Sequence, residues 1–189
     1  PASLGVTSTA SAKSTAAGKN AEADAIILSS IDQKAFATKG AAGVDFANAN
    51  GGTVKVASAA DASAAERAEA TAIVGGGVNQ AAFAPGNATA GFKNTAGSYS
   101  VGADAKSVST DDDAVSIAGV GNGVTQAAVS GKADAKADFA NGDKFNVVAK
   151  ADAKGGEDAT AVGIAGVGVQ QTAWAAGKGD AAANINNTG

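Results

Sequence analysis

Residues 68 to 84 read AEATAIVGGGVNQAAFA, and this stretch decides how the chain is organised. Its alternate residues are Ala68, Ala70, Ala72, Val74, Gly76, Val78, Gln80, Ala82 and Ala84. Three relatives, 21–37, 114–130 and 159–175, give the same small, mostly apolar face when every second residue is taken. A glutamine falls at one place in all four, as Gln33, Gln80, Gln126 and Gln171, at spacings of 47, 46 and 45 residues. Self-similarity at a period of 20 to 50 residues is the mark of a repeat array. Alternation at period two is the mark of a strand with two unlike faces. Alanine is also the best helix former, so AEADA or KADAKADFA read alone suits a helix. Dense Gly, Val and Thr, with a two-residue register held throughout, favour strands.

Two further segments share the period. The first runs Leu4, Val6, Ser8, Ala10, Ala12 and returns as Val54, Val56, Ser58, Ala60, as Tyr99, Val101, Ala103, Ala105, and as Phe145, Val147, Ala149, Ala151. Polar turn residues follow each copy, at 18–20, 64–67, 109–113 and 155–158. The glutamine stretch is the second segment. Seventeen extended residues span roughly 56 Å, long for one strand, so a bend is expected. Glycines 75–77, then 119, 121 and 123, then 166 and 168 mark the corner, because glycine within a strand signals a bend or a close backbone approach. The first copy has Ser29 and Ser30 there instead. The third segment follows a turn at Gly40, Gly86, Gly131 or Gly177 and carries one large residue, Phe46, Phe92, Phe139 or Ile185. Two places on stand Asn48, Asn94, Asn141 and Asn187, suited to a turn because asparagine tolerates positive φ. Four units result, at about 1–48, 49–95, 96–142 and 143–189, in one array of residues 1–189 with neither linker nor second domain.

The composition limits function more than it suggests one. Val, Ile, Leu and Phe make up 32 of 189 residues, so a large jigsaw core is not expected. A net charge of −4 leaves no basic footprint for nucleic acid. There is no Cys and no His, which removes disulfides, thiolate metal sites and the commonest catalytic base. No apolar run approaches the ~20 residues that span a bilayer, so no membrane insertion is expected. Asp111, Asp112 and Asp113 form a lone acidic run without a repeated calcium-loop pattern and read as a solvated turn. The glycine runs match no phosphate-binding fingerprint. Nothing assembles a nucleophile, a base and an orienting group. The expectation is a chain that is not an enzyme and that has no catalytic residues, cofactor or metal.

The columns are the informative feature. If each unit is one layer, equivalent residues stack about 4.8 Å apart. A stacked Gln33, Gln80, Gln126, Gln171 column bonds amide to amide and sets register, since a slip of one residue moves the glutamine to the other face. The competing reading is a solvent-facing glutamine. Phe46, Phe92, Phe139 and Ile185 read as a core ladder, and Asn48, Asn94, Asn141 and Asn187 as a turn ladder. Phe36, Phe83, Val129 and Trp174, three residues after each glutamine, read as a second hydrophobic ladder inside a second core, with an aromatic binding strip as the alternative. The fold class expected is all-β: a four-layer β-solenoid or a stacked serpentine β-arch repeat, about 46 residues per layer.

Layered arrays are usually closed by terminal repeats with a polar outer face. Here the first and last units resemble the inner ones, so the layers invite another copy, and a contact that does not close into a ring makes a filament. The chain starts at Pro1 and contains no Met, so a processed, secreted product is expected. The runs GGVNQAA at 76–82, GVTQAA at 123–128 and GVQQTA at 168–173 resemble those of bacterial functional amyloid fibre subunits, the curli and Fap-type proteins. This chain departs from them in a doubled period, higher alanine and no Cys pair. The resemblance implies extracellular or cell-surface fibres in biofilm or attachment, with a role for a secretion or nucleation partner. The reading is a self-assembling subunit of a β-rich, amyloid-like filament that partners itself head to tail. The alternative is a monomeric β-solenoid adhesin or ice-binding module. The mixed positions Asp32, Asn79, Thr125 and Gln170 count against ice binding, and a disordered alanine-rich linker is the third reading.

Overall fold

A computed structural model describes residues 3–14, 19–28, 30–49, 51–130, 132, 134–155, 157–166, 168–175 and 180–188. Pro1, Gly18, Ser29, Gly131 and Gly177, which the sequence reading uses, lie outside them. The described residues form fourteen strands, numbered in chain order, and no helix. Alternation explains why alanine is extended here. Residues two apart share one face of a strand but scatter around a helix. In Ala135–Asn141, Ala135, Ala137, Phe139 and Asn141 are buried while Lys136 is exposed.

Three parallel sheets contain the strands. The first holds β1 (Ser3–Lys13), β5 (Gly52–Ala64), β8 (Gly97–Ser109) and β11 (Phe145–Lys154), in that order. The second has β6 (Ala68–Ala84) and β9 (Ala114–Ser130) in its middle. β2 (Ala21–Ile27) and β3 (Ile31–Phe36) pair along β6, and β12 (Ala159–Ala165) and β13 (Val169–Ala175) pair along β9. The third runs β4 (Ala42–Asn48), β7 (Ala88–Asn94), β10 (Ala135–Asn141) and β14 (Ala181–Asn187). Each strand therefore pairs with its equivalent one repeat away. Register follows the sequence pattern: Leu4, Val54, Tyr99 and Phe145 align, as do Gln33, Gln80, Gln126 and Gln171.

The second sheet backs both others. Its first half packs on the first sheet, where Ala68, Ala70, Ala72, Val74 and Val78 meet Val56, Ala62, Val101 and Ala105 in one core. Its second half packs on the third sheet, where Ala82, Ala84 and Ala128 meet Ala88, Ala90 and Ala135 in a smaller one. Methyl groups fill most of this interior, and each contributes little to burial. Backbone pairing between layers carries much of the cohesion, at roughly 0.5–1.5 kcal/mol net per hydrogen bond.

The expected glycine corner lies where these two halves meet. The ladder between β6 and β9 omits Gly75 and Gly77, although both strands run on unbroken. A Cβ on Gly77 would come closer than 3.0 Å to the Tyr99 hydroxyl, the Gly123 carbonyl and Val101. On Gly123 it would lie 2.9 Å from Val147 and 3.1 Å from Phe145. These glycines are absent side chains beneath large ones. The first layer follows the same rule in reverse. Ser30 precedes Ile31, the partner of Val78, and so takes the Gly77 place; Val54 takes the Tyr99 place. Ser30 fills its corner with a hydroxyl bonded to the Gly76 and Gly77 carbonyls.

Candidate functional site

Two amide columns run across the layers at the place where the three sheets converge. In the first, Gln80 donates to Gln33 at 2.9 Å, Gln126 to Gln80 at 3.0 Å and Gln171 to Gln126 at 2.8 Å, each from Nε2 to Oε1. The same nitrogens reach across to the third sheet. Gln33 donates to the Asp45 carbonyl at 3.2 Å and Gln80 to that of Gly91 at 2.7 Å. Gln126 bonds the carbonyls of Ala90 (2.9 Å) and Asp138 (2.8 Å), and Gln171 those of Ala137 (3.1 Å) and Asn184 (3.0 Å). Gln80 and Gln126 are buried, so the solvent-facing reading does not hold for the inner layers. A buried primary amide left unpaired costs about 1–3 kcal/mol, which these bonds avoid.

The asparagines form the second column, and here the structure corrects the sequence reading. Asn48, Asn94, Asn141 and Asn187 close strands, and the first three are buried. They act through their amides and not through turn backbone. Asn48 Nδ2 donates to Asn94 Oδ1 at 2.9 Å, Asn94 to Asn141 at 2.7 Å and Asn141 to Asn187 at 2.7 Å. Their nitrogens also tie down the following chain, at the carbonyls of Ser98, Lys144 and Asp143. The positive φ nearby belongs to Gly51, at 73°.

Between the amide columns stand two columns of rings. Phe46, Phe92 and Phe139 stack at centroid spacings of 5.1 and 5.0 Å. Tyr99 and Phe145 stack at 5.1 Å and meet Phe92 and Phe139 edge-on. Phe92 and Phe139 are core, as expected, whereas Ile185 in the edge layer is 60% exposed because nothing lies above it. The Tyr99–Phe145 column is a feature that sequence reasoning missed. Its signal was present: a large residue, Tyr99 or Phe145, opens the unit that follows each bare glycine at 77 or 123. The Tyr99 hydroxyl donates to the Gly123 carbonyl at 2.8 Å. Burial pushes this phenol well above its ordinary pKa, against a smaller opposing pull from the Val78 backbone.

The second hydrophobic ladder is also corrected. Phe36, Phe83, Val129 and Trp174 do align in one column. It lies outside, with Phe36 79% and Trp174 57% exposed, and among the described residues no second core covers it. Asp111–Asp113 lie between β8 and β9; among the described residues no group of three or more acidic side chains is placed to hold a metal ion. Lys34–Asp32, Lys136–Asp138 and Lys150–Asp152 are exposed ion pairs two residues apart on one strand face, each worth little. Among the described residues no helix is long and apolar enough to cross a membrane.

The site that stands out is therefore the pair of open edges. β1, β2, β3 and β4 form one, and β11, β12, β13 and β14 the other. Comparison with protein-family models, with curated proteins and with solved structures gives no match.

Proposed function

We propose that this chain is a structural subunit whose four units are coils of a β-solenoid and whose open edges join copies into a β-rich, amyloid-like filament. A coil accounts for the way one long sheet backs two shorter ones, the chain returning to its starting phase one layer higher. The observation that carries the filament reading is the state of Leu4 and Ile185. Their column-mates Val54, Tyr99, Phe92 and Phe139 are buried, yet Leu4 and Ile185 are exposed, one at each edge. Core positions left open beside three unpaired sheet edges suit a further layer of the same kind. An extracellular scaffold for biofilm or surface attachment is the role we attach to this filament, as the likeness to curli and Fap-type subunits implies.

Negative-stain electron microscopy with fibre diffraction of concentrated protein tests it. Unbranched filaments and a meridional reflection near ~4.8 Å are expected. Protein that stays monomeric without that reflection sinks the reading. One observation favours a second reading, a monomeric adhesin: the exposed Phe36, Phe83 and Trp174, with half-buried Val129 in the same column, are a ready apolar contact strip. Monomers that bind a surface and lose binding on Trp174→Ala would support it instead.

A further inference from the structure

We propose that a second copy of this chain docks by its Gln33 edge onto the Gln171 edge of the first, in register, and that the two amide columns favour this joint because each ends on a donor at one edge and an acceptor at the other. The inference rests on the filament reading and specifies its joint.

The direction of each column is visible in its bonds. Along the glutamines every Nε2 points toward the lower-numbered layer, from Gln171 to Gln126 to Gln80 to Gln33. Along the asparagines every Nδ2 points toward the higher-numbered layer, from Asn48 to Asn94 to Asn141 to Asn187. Neither set of amides can be turned over without cost. The same nitrogens donate to backbone carbonyls of Gly91, Asp138, Ser98 and Lys144, and an amide oxygen in that place would face another oxygen.

Each edge therefore ends on one donor and one acceptor, in opposite arrangement. The Gln33 edge offers an N–H of Gln33 and the Oδ1 of Asn48. The Gln171 edge offers the Oε1 of Gln171 and the N–H groups of Asn187. Stacked head to tail, donor meets acceptor in both columns. Turning one copy over reverses its strands and takes both columns out of line.

Other columns continue through the same joint. The second copy's Leu4 follows Phe145, Ile26 follows Ile164, Phe36 follows Trp174 and Phe46 follows Ile185. Of these, Leu4, Ile26, Phe36, Ile164, Trp174 and Ile185 are exposed large apolar residues in the single chain. Gly168 has room for its cap. A Cβ there would meet only Phe145, at 3.8 Å, whereas Gly123 is closed in by the layer above. Leu4 of the second copy takes the place over Gly168 that Phe145 takes over Gly123. One repulsion results: Lys13, through Ser63 and Val108, continues the column of Lys154.

Two substitutions remove an outward donor and keep the column bond to the neighbouring layer of the same chain. Gln33→Glu retains an oxygen for Gln80 Nε2 but removes the outward donor, together with the exposed bond to the Asp45 carbonyl. Asn187→Asp retains an oxygen for Asn141 Nδ2 and likewise loses the outward donor. Sedimentation of each variant, with wild type alongside and far-UV circular dichroism as the check on folding, gives the readout. We expect each variant alone to elongate roughly tenfold or more slowly than wild type. An equimolar mixture should form dimers and stop, since only the two intact edges can meet. Dimers that form in either variant alone at the wild-type rate and do not elongate mean that like edges pair, and overturn the polarity. Both variants elongating as wild type does overturns the role of the columns while leaving the filament reading intact. Wild type that does not assemble sinks the filament reading itself. An independent measurement avoids the amides. The chain has no cysteine, so Phe36→Cys with Trp174→Cys should yield a disulfide-linked ladder of oligomers on oxidation, and either change alone only monomers. Cross-linked dimers from a single change contradict the joint.

Discussion

The inner layers and the edge layers carry one pattern and behave differently. β6 and β9 run unbroken through their glycines, whereas the equivalent stretches at the edges are interrupted, between Ile27 and Ile31 and between Ala165 and Val169. Gln80 and Gln126 are buried, while Gln33 and Gln171 are partly open. Phe92 and Phe139 are core, while Ile185 is exposed. The difference is neighbours. An inner strand has a backbone partner on both sides and a facing sheet, and an edge strand lacks one partner. The strand runs on through its corner only where a neighbouring layer holds it on both sides. In arrays of this kind stability is a sum of unit and interface terms, and an edge layer has one interface fewer.

Substitutions at matched positions put that comparison under load. The largest effect is expected from Gln80→Lys with Gln126→Lys, which buries two stacked ammonium groups among methyl groups. Each should cost about 3–5 kcal/mol, enough together to abolish cooperative unfolding in urea. Gln171→Lys, whose long side chain can reach solvent past the edge, should shift the midpoint little. A comparable midpoint for both would mean that the inner amides are not the sealed column described above. Phe139→Ala removes a ring stacked on Phe92 and should cost about 3–5 kcal/mol. Ile185→Ala, at the end of the same column, should cost well under that in the isolated chain. Paired denaturation curves separate the two, and equal losses would remove the distinction between layers.

Gly123→Ala tests the corner, with an expected cost of about 1–3 kcal/mol for overpacking against the Gly168 carbonyl, Val147 and Phe145. Gly168→Ala should be within about 0.5 kcal/mol of wild type by the same assay, because its far side is open. The smallest effect concerns pH. The folded state holds the Tyr99 phenol protonated above its ordinary pKa, because burial disfavours the phenolate. Its contribution is fully present below the unfolded value of about 10 and is lost as pH rises above it. The slope there is about 1.4 kcal/mol per pH unit, set by one extra proton in the folded state. Tyr99→Phe, the residue type already present at 145, should remove that slope at a cost of about 1 kcal/mol at neutral pH. Stability measured from pH 9 to 11 checks it, and an unchanged slope in the variant assigns the effect elsewhere.

Much of this was legible in the residues. The spacing of Gln33, Gln80, Gln126 and Gln171 reveals the columns, and the alternation of Ala68 to Ala84 identifies the face they share. Glycine at 77 and 123 announced a close approach, though not what approaches. The asparagines were misassigned because asparagine near glycine also marks a turn, and only side-chain partners separate the two roles. Phe36 and Trp174 were placed inside because apolar residues in register usually find cover. Parity says that they oppose the glutamines, which is all that a strand pattern can say.

What the sequence by itself determined is therefore period, parity and membership of columns, because these are properties of an extended backbone with two faces. Tertiary structure alone decided which faces are covered, since that depends on the path by which the chain returns. It also decided that the glutamine and asparagine columns run in opposite directions. An amide's nitrogen is placed by the carbonyls across from it, and those carbonyls belong to other strands.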